Sequence, residues 1–119
     1  IDRLVPMLGV TDLSRSVAFY QQLGFEVDNR NDDWQWASLR LGACRLMIDT
    51  STNGHPGPMR QSVIYLYPTD LEAYHREVRA NGVVVPEIAS TPYGMREFRL
   101  NDPDGNQLWI GQEVSTHAP

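Results

Sequence analysis

Two stretches of the chain carry apolar side chains at helical spacing, each between a capping residue and a glycine. The stripes consist of Leu13, Val17, Tyr20 and Leu23 in the first stretch and of Leu71, Tyr74 and Val78 in the second. Side chains spaced in this way share one face of an α-helix, so both stretches predict helices with a buried side. We expect Asp12 to cap the first helix, and Thr69 with Glu72 to form a capping box at the second. Gly24 and Gly82 are the expected helix ends.

The other apolar runs are short and predict strands. They are Leu4 to Val10, Phe25 to Asn29, Trp34 to Leu41 and Cys44 to Asp49 in the first half, and Val63 to Tyr67, Val83 to Val85, Met95 to Asn101 and Gln107 to Gln112 in the second. Gly42-Ala43 and Asp102-Pro103-Asp104-Gly105 predict turns before the last strand of each half. Thr50 to Arg60 is rich in glycine and proline, which predicts a linker.

Part of the sequence repeats along with this order of elements. Thr11-Asp12-Leu13 recurs as Thr69-Asp70-Leu71, and at a slightly larger separation Leu46-Met47-Ile48 matches Leu108-Trp109-Ile110. Matches in one order indicate a duplicated unit.

We therefore expect an α+β fold in which residues 1–119 form a single domain. It consists of two tandem βαβββ modules, 1–53 and 61–113, whose sheets form a curved, open cup. A cup lined by strand residues is a natural site for a small molecule.

Charge and composition exclude some classes of partner. The chain has 10 basic and 15 acidic residues and a net charge of −5, which argues against nucleic-acid binding and mildly favours neutral or cationic ligands. No apolar run approaches the roughly 20 residues that span a bilayer, so no membrane partner is expected. The one cysteine, Cys44, fits a cytoplasmic protein, and its apolar run predicts a packed core thiol.

Few titratable side chains are arranged for catalysis. His55, His75 and His117 share neither a metal-ligand spacing nor a strand face, so we expect all three to be solvated. Glu97 follows Arg96 and is expected to be an exposed strand carboxylate rather than an acid/base group.

Two stretches carry a resemblance to a known family. One comprises Val10-Thr11-Asp12-Leu13, Phe19-Tyr20 and Leu23-Gly24-Phe25, and the other comprises Thr91 to Phe98 and Asp102-Pro103-Asp104-Gly105-Asn106. On these residues the chain resembles the vicinal oxygen chelate superfamily, which includes glyoxalase I, extradiol dioxygenases, fosfomycin-resistance transferases and bleomycin-resistance proteins. The resemblance covers Leu4 to Gln112 and implies the same two βαβββ modules.

Metal-dependent members of that superfamily place up to four ligands, usually His, Glu or Gln, on the first and last strands of each module. The resemblance puts those positions near Val5, Met47, Val63 and Trp109. A thioether is a soft ligand, and the other three side chains offer no suitable lone pair. We therefore expect no metal, no cofactor and no catalytic residue of the metal-dependent type.

Aromatic residues on the predicted strands suggest a binding surface instead. The expected ligand-binding residues are Trp34, Trp36, Tyr65, Tyr67, Tyr93 and Trp109. Trp34 and Trp36, like Tyr65 and Tyr67, are two residues apart, so each pair is expected to share one face of its strand. Rings of this kind stack on planar or cationic molecules at about 0.5–2 kcal/mol per contact.

Within the superfamily the chain most resembles bleomycin-resistance proteins, which sequester the drug without altering it. The resemblance implies aromatic contacts at Trp36, Tyr65, Tyr67 and Tyr93, and a homodimer whose N-terminal strands cross and whose grooves lie between subunits. We expect metal-free sequestration of an aromatic or cationic small molecule, as in antibiotic resistance. Two alternatives stay open. One is a lyase, isomerase or dioxygenase-like enzyme with an atypical site at Glu97 or Tyr93. The other is a paralogue whose own side chains fill the cup.

Overall fold

Each half of the chain folds into a four-stranded sheet backed by one helix. The computed structural model describes residues 3–50 and 62–114. The first half contains β1 (Met7–Gly9), α1 (Leu13–Gln22), β2 (Glu26–Asn31), β3 (Trp36–Leu41) and β4 (Cys44–Asp49). The second contains β5 (Val63–Leu66), α2 (Leu71–Ala80), β6 (Ala89–Ser90), β7 (Met95–Asn101) and β8 (Gln107–Glu113).

The two sheets have equivalent topologies, with strand orders β1-β4-β3-β2 and β5-β8-β7-β6. In each sheet the first and last strands pair in parallel, and the remaining neighbours are antiparallel. The α+β fold with two tandem modules is therefore confirmed. Of the predicted linker, only Thr50 lies within the described residues.

Equivalent aspartates cap the two helices. The Asp12 carboxylate accepts a hydrogen bond from the Arg15 N–H, and the Asp70 carboxylate accepts one from the Ala73 N–H. The prediction of a capping box at Thr69 and Glu72 is wrong. The N-cap is Asp70, whose extended backbone places its carboxylate at the free N–H groups of the first helical turn. Glu72 instead pairs with Arg96 at 2.8 Å. Neither described helix is long and apolar enough to cross a bilayer.

The predicted strand Val83 to Val85 is not formed. The short strand β6 takes its place and pairs with β7 through Ala89–Glu97 and Ser90–Arg96. Pro86 has no N–H to donate to a ladder, and its carbonyl accepts a hydrogen bond from His75 Nε2 at 2.8 Å. This contact ties the segment to α2 instead of the strand edge. The first strand is also shorter than predicted, beginning at Met7 rather than Leu4.

The predicted burial of Cys44 and of His75 is reversed. Cys44 was expected in the core but is exposed, because it begins β4 beside the Gly42-Ala43 turn. His75 was expected in solvent but is buried, and its ring packs edge to face on Phe98 with centroids 4.8 Å apart. Its position, one turn after Leu71 on the buried stripe of α2, was the available signal. His55 and His117 lie outside the described residues.

The modules share a core and a hydrogen-bonded turn. A single apolar cluster extends from Leu8 and Tyr20 in the first module to Val78 and Leu108 in the second. The turn between β7 and β8 crosses to the first module, where Asp102 accepts from the Tyr20 hydroxyl at 2.8 Å.

Asp104 and Asn106 in the same turn make further contacts across the module boundary. Asp104 accepts from the N–H and the hydroxyl of Thr11, at 3.0 and 2.6 Å, and Asn106 donates to the Gly9 carbonyl at 3.4 Å. These bonds fix the position of one module against the other.

Candidate functional site

Three neighbouring strands of the second sheet present polar and aromatic side chains on the face away from the helix. Tyr65 on β5 lies opposite Trp109 on β8, and Trp109 lies opposite Arg99 on β7. The alternate residues of the same strands, such as Leu108, Phe98 and Ile110, are buried in the core. Strand alternation thus separates an apolar inner face from what we call the open face, formed by Tyr65, Tyr67, Tyr93, Glu97, Arg99 and Trp109.

The rings of the open face contact one another. Tyr65 and Tyr67 stack with centroids 4.8 Å apart and planes 14° apart, which confirms that this pair shares one face. Trp109 meets Tyr65 edge to face at 6.0 Å, and the Trp109 Nε1–H donates to Gln107 at 2.9 Å. Tyr67 and Tyr93 remain 68% and 55% exposed, so much of the aromatic area is available to a ligand.

Glu97 is the polar centre of this surface. Its Oε1 accepts from the hydroxyls of Tyr65 and Tyr93, each at 2.6 Å, and its Oε2 accepts from Arg99 Nε at 2.6 Å. The carboxylate is only 5% exposed, so the prediction of a solvated strand carboxylate is wrong. Two tyrosines and an arginine cover it, and the sequence places one of these, Tyr65, 32 residues away.

These contacts keep the carboxylate ionised. Burial works against the charge, but the hydrogen bonds from Tyr65, Tyr93 and Arg99 outweigh it and lower the pKa of Glu97 below its usual value. Burial first, and then the hydrogen bond to Glu97, raises the pKa of the Tyr65 hydroxyl well above its ordinary value. At neutral pH the cluster therefore holds one carboxylate, one guanidinium and a neutral Tyr65 hydroxyl.

Gly111 makes room for Glu97. The two residues are paired across β7 and β8, and a Cβ on Gly111 would lie 3.1 Å from the Glu97 Cβ. The same atom would lie 3.1 Å from the backbone oxygen of Arg96 and from the Met95 methyl. A side chain at position 111 would therefore press on the strand that carries the carboxylate.

Arg99 is held from three sides. Its guanidinium carbon lies 3.6 Å from the centroid of the Trp109 ring, its Nε donates to Glu97, and an Nη donates to the Tyr93 hydroxyl at 2.8 Å. The side chain is nevertheless 47% exposed. A cation on a tryptophan face gains electrostatic attraction as well as contact area.

The two predicted tryptophans of the first module are placed elsewhere. Trp36 begins β3 and is half-buried, whereas Trp34 lies in the preceding turn and is 73% exposed. Gln35 between them has a φ of 50°, which breaks the strand alternation. The prediction that Trp34 and Trp36 share a strand face is therefore wrong. The structure brings together Tyr65, Tyr67, Tyr93 and Trp109, but not the two tryptophans of the first sheet.

The positions implied for metal ligands do not fit a divalent cation. Met47 pairs with Met7, which lies two residues after Val5. Trp109 pairs with Tyr65, which lies two residues after Val63. The Tyr65 hydroxyl is bonded to Glu97, and Trp109 offers only an N–H donor. Across residues 3–50 and 62–114, no group of three or more His, Cys, Asp or Glu side chains could hold a metal ion.

Comparison with known proteins gives one family and several similar structures. Residues 1–110 match the model of the Glyoxalase/Bleomycin resistance protein/Dioxygenase superfamily. The structure is similar to a bleomycin-binding protein complexed with bleomycin, with 25% identity, a TM-score of 0.78, and coverage of 95% of this chain and 99% of that one.

A bleomycin resistance determinant encoded on the transposon Tn5 gives 25% identity, a TM-score of 0.77, and coverage of 95% and 98%. A lactoylglutathione lyase from Agrobacterium tumefaciens, at 21% identity, a TM-score of 0.71 and 93% coverage of both chains, shows a shared fold alone. Among curated protein sequences no match was found.

Proposed function

This chain belongs to the glyoxalase/bleomycin resistance protein/dioxygenase superfamily, and we propose that it binds a planar aromatic small molecule on the open face and releases it unchanged. The contacts would come from Tyr65, Tyr67, Tyr93 and Trp109. No metal takes part in this proposal, because the positions that would hold one carry side chains without suitable donors.

The observation that carries the proposal is the exposure of aromatic rings around Glu97, whose buried carboxylate accepts three hydrogen bonds. Tyr67 and Tyr93 leave more than half of their surface in solvent. An exposed aromatic cluster with fixed polar groups is typical of a binding site. The similarity to a bleomycin-binding protein complexed with bleomycin supports a small organic ligand.

Glu97 is poorly suited to the alternative role of a catalytic base. Both of its oxygens already accept hydrogen bonds, and these contacts lower its pKa. A general base works best when its pKa lies near the working pH, so these contacts weaken Glu97 in that role. Sequestration is therefore favoured over acid/base catalysis at this position.

We further propose a homodimer in which the first sheet of one subunit faces the open face of the other. Trp34 and Trp36 would then contribute to the same groove as the four rings of the second sheet. The exposed Leu4 and Met7 at the start of the chain, 83% and 45% accessible, suit an arm that packs on a partner. Light scattering after size exclusion should give twice the 13.5 kDa mass of this chain, and a mass of one chain would contradict the dimer.

Binding is tested by titrating the protein with bleomycin and following tryptophan fluorescence. Saturable quenching is expected, and the recovered ligand should have an unchanged intact mass. Tyr67→Ala should weaken binding by about 2- to 12-fold, since a stacked ring contributes about 0.5–1.5 kcal/mol. Tyr74→Phe, an aromatic change on α2 away from the open face, is the control. A ligand of altered mass would favour the enzyme, and the absence of saturable binding would contradict the proposal for this ligand.

A further inference from the structure

We propose that Arg99 makes the open face selective for aromatic molecules that carry an anionic group, such as a carboxylate or a sulfonate. This inference rests on the proposed function and specifies the chemistry of its ligand. It runs against the net charge of −5, which alone would favour cations.

Arg99 has more hydrogen-bond donors than its described partners, Glu97 and Tyr93, use. A guanidinium carries five N–H donors in a planar fork that matches the two oxygens of a carboxylate. One donor is bonded to Glu97 and one to Tyr93. In the part of the chain that the structure describes, the remaining donors have no acceptor. They belong to a side chain that is 47% exposed on the face that we propose binds the ligand.

Glu97 is the group of the open face that would attract a cation. Its two oxygens accept three hydrogen bonds, at 2.6 Å each, and the carboxylate is 5% exposed. Tyr65, Tyr93 and Arg99 cover it, so it offers little accessible surface to a ligand ammonium. Arg99 is thus the charged group of the open face that can take a new partner without losing an old one.

Trp109, Glu97 and Tyr93 fix the orientation of Arg99. Trp109 lies under the guanidinium at 3.6 Å, so that face of the indole is already covered. The in-plane N–H groups can hold the acid group of a ligand at the edge of the guanidinium, while the exposed rings of Tyr67 and Tyr93 contact its aromatic part. Glu97 and Tyr93 keep the fork in place before the ligand arrives, which lowers the entropy cost of binding.

The test compares three naphthalene probes of nearly the same shape: 2-naphthoate, 2-naphthylmethanol and 2-naphthylmethylammonium. Affinities are measured by isothermal titration calorimetry with the whole chain. We expect the naphthoate to bind at least about tenfold more tightly than the ammonium, because the guanidinium of Arg99 attracts a carboxylate through charge-assisted hydrogen bonds and repels an ammonium. The neutral alcohol should fall between them.

Variants at position 99 assign the preference to one side chain. Arg99→Gln should lower the affinity for naphthoate about tenfold and change that for the alcohol by less than about threefold. Arg99→Lys keeps the charge but loses the fork, and should recover only part of the loss.

The matched control is Arg96→Gln, which removes the same charge from the same strand. Arg96 alternates to the other face of β7 and pairs with Glu72 of α2. The Arg96→Gln variant should leave the order of the three affinities unchanged. Thermal melting of each variant verifies the fold.

The outcomes separate the two proposals. If no probe binds the wild-type protein, the proposed function fails for this ligand class. If the alcohol binds but the naphthoate binds no more tightly than the ammonium, only the role of Arg99 is overturned. The same conclusion follows if Arg99→Gln and Arg96→Gln lower the naphthoate affinity equally.

Discussion

Asp102 and Glu97 are chemically alike, since each is a carboxylate that accepts hydrogen bonds from tyrosine. Each is 5% exposed. Asp102 lies between the modules, where its partner Tyr20 is completely buried. Glu97 lies on the open face, where its partners Tyr93 and Arg99 are themselves about half exposed. The buried partner of Asp102 can only stabilise the fold, whereas the exposed partners of Glu97 can also take part in binding.

The largest expected effect is the loss of the carboxylate between the modules. Asp102 accepts four hydrogen bonds, from Tyr20, from the N–H of Asp104, and from the N–H and side chain of Asn106. Asp102→Ala leaves buried donors unsatisfied, at about 1–3 kcal/mol each. The free energy of unfolding should fall by about 3 kcal/mol or more in urea titrations.

Asp32→Ala is the control for this change. It removes an exposed carboxylate that forms a salt bridge with Arg30, and a pair of this kind contributes little. Its free energy of unfolding should stay within about 1 kcal/mol of the wild type. Equal losses in the two variants would contradict the structural role of Asp102.

The next largest effect is expected at Gly111, which faces Glu97 across the ladder. Gly111→Ala places a methyl group 3.1 Å from the Arg96 backbone oxygen, an atom that cannot move without shifting β7. Overpacking of this kind costs about 1–3 kcal/mol. The melting temperature should fall, and the affinity for an aromatic ligand should fall with it, because Glu97 and Arg99 move together.

A variant with normal affinity would show that the position of Glu97 does not depend on Gly111. Gly42→Ala is a useful comparison, since nothing lies within 4 Å of an added Cβ there. It carries the strain of a positive φ, 60°, without disturbing the open face. It should lower stability and leave ligand binding intact.

The sequence predicts the helices and the long strands well because their signals are local. The apolar stripes of α1 and α2, the bounds of β4 and the turn before β8 depend on residues close together in the chain. The duplication also predicts which strands correspond. It does not predict the site, because equivalent positions carry different chemistry: Asp49 in the first module corresponds to Gly111 in the second.

The missed features depend on contacts between distant residues. Glu97 is buried by Tyr65 and by the space that Gly111 leaves, and neither is visible in the residues beside Glu97. Val83 to Val85 has a strand pattern but does not pair with β7, because His75 on α2 binds the neighbouring Pro86 carbonyl. Tertiary contacts decided both cases against the local pattern.

A smaller effect on stability is expected when the carboxylate of the open face is neutralised. Glu97→Gln keeps the shape but weakens the contact with Arg99, which can turn to solvent because it is half exposed. The free energy of unfolding should fall by about 1 kcal/mol or less, in contrast to Asp102→Ala. Ligand affinity should fall more clearly, because Arg99 loses its fixed orientation. A loss of stability as large as that of Asp102→Ala would remove the distinction between the two carboxylates.

The smallest effect is the pH dependence that Glu97 adds to folding. Its pKa is lower in the folded protein than the usual value of about 4.3 in an unfolded chain. Ionised Glu97 therefore stabilises the fold fully above about pH 5, and this contribution is lost as the pH falls through the folded pKa. The difference in free energy of unfolding between the wild type and Glu97→Gln should shrink as urea titrations move from neutral pH to about pH 3. A difference that stays constant would mean that the three hydrogen bonds do not favour the charged form, and the orientation of Arg99 would then need another cause.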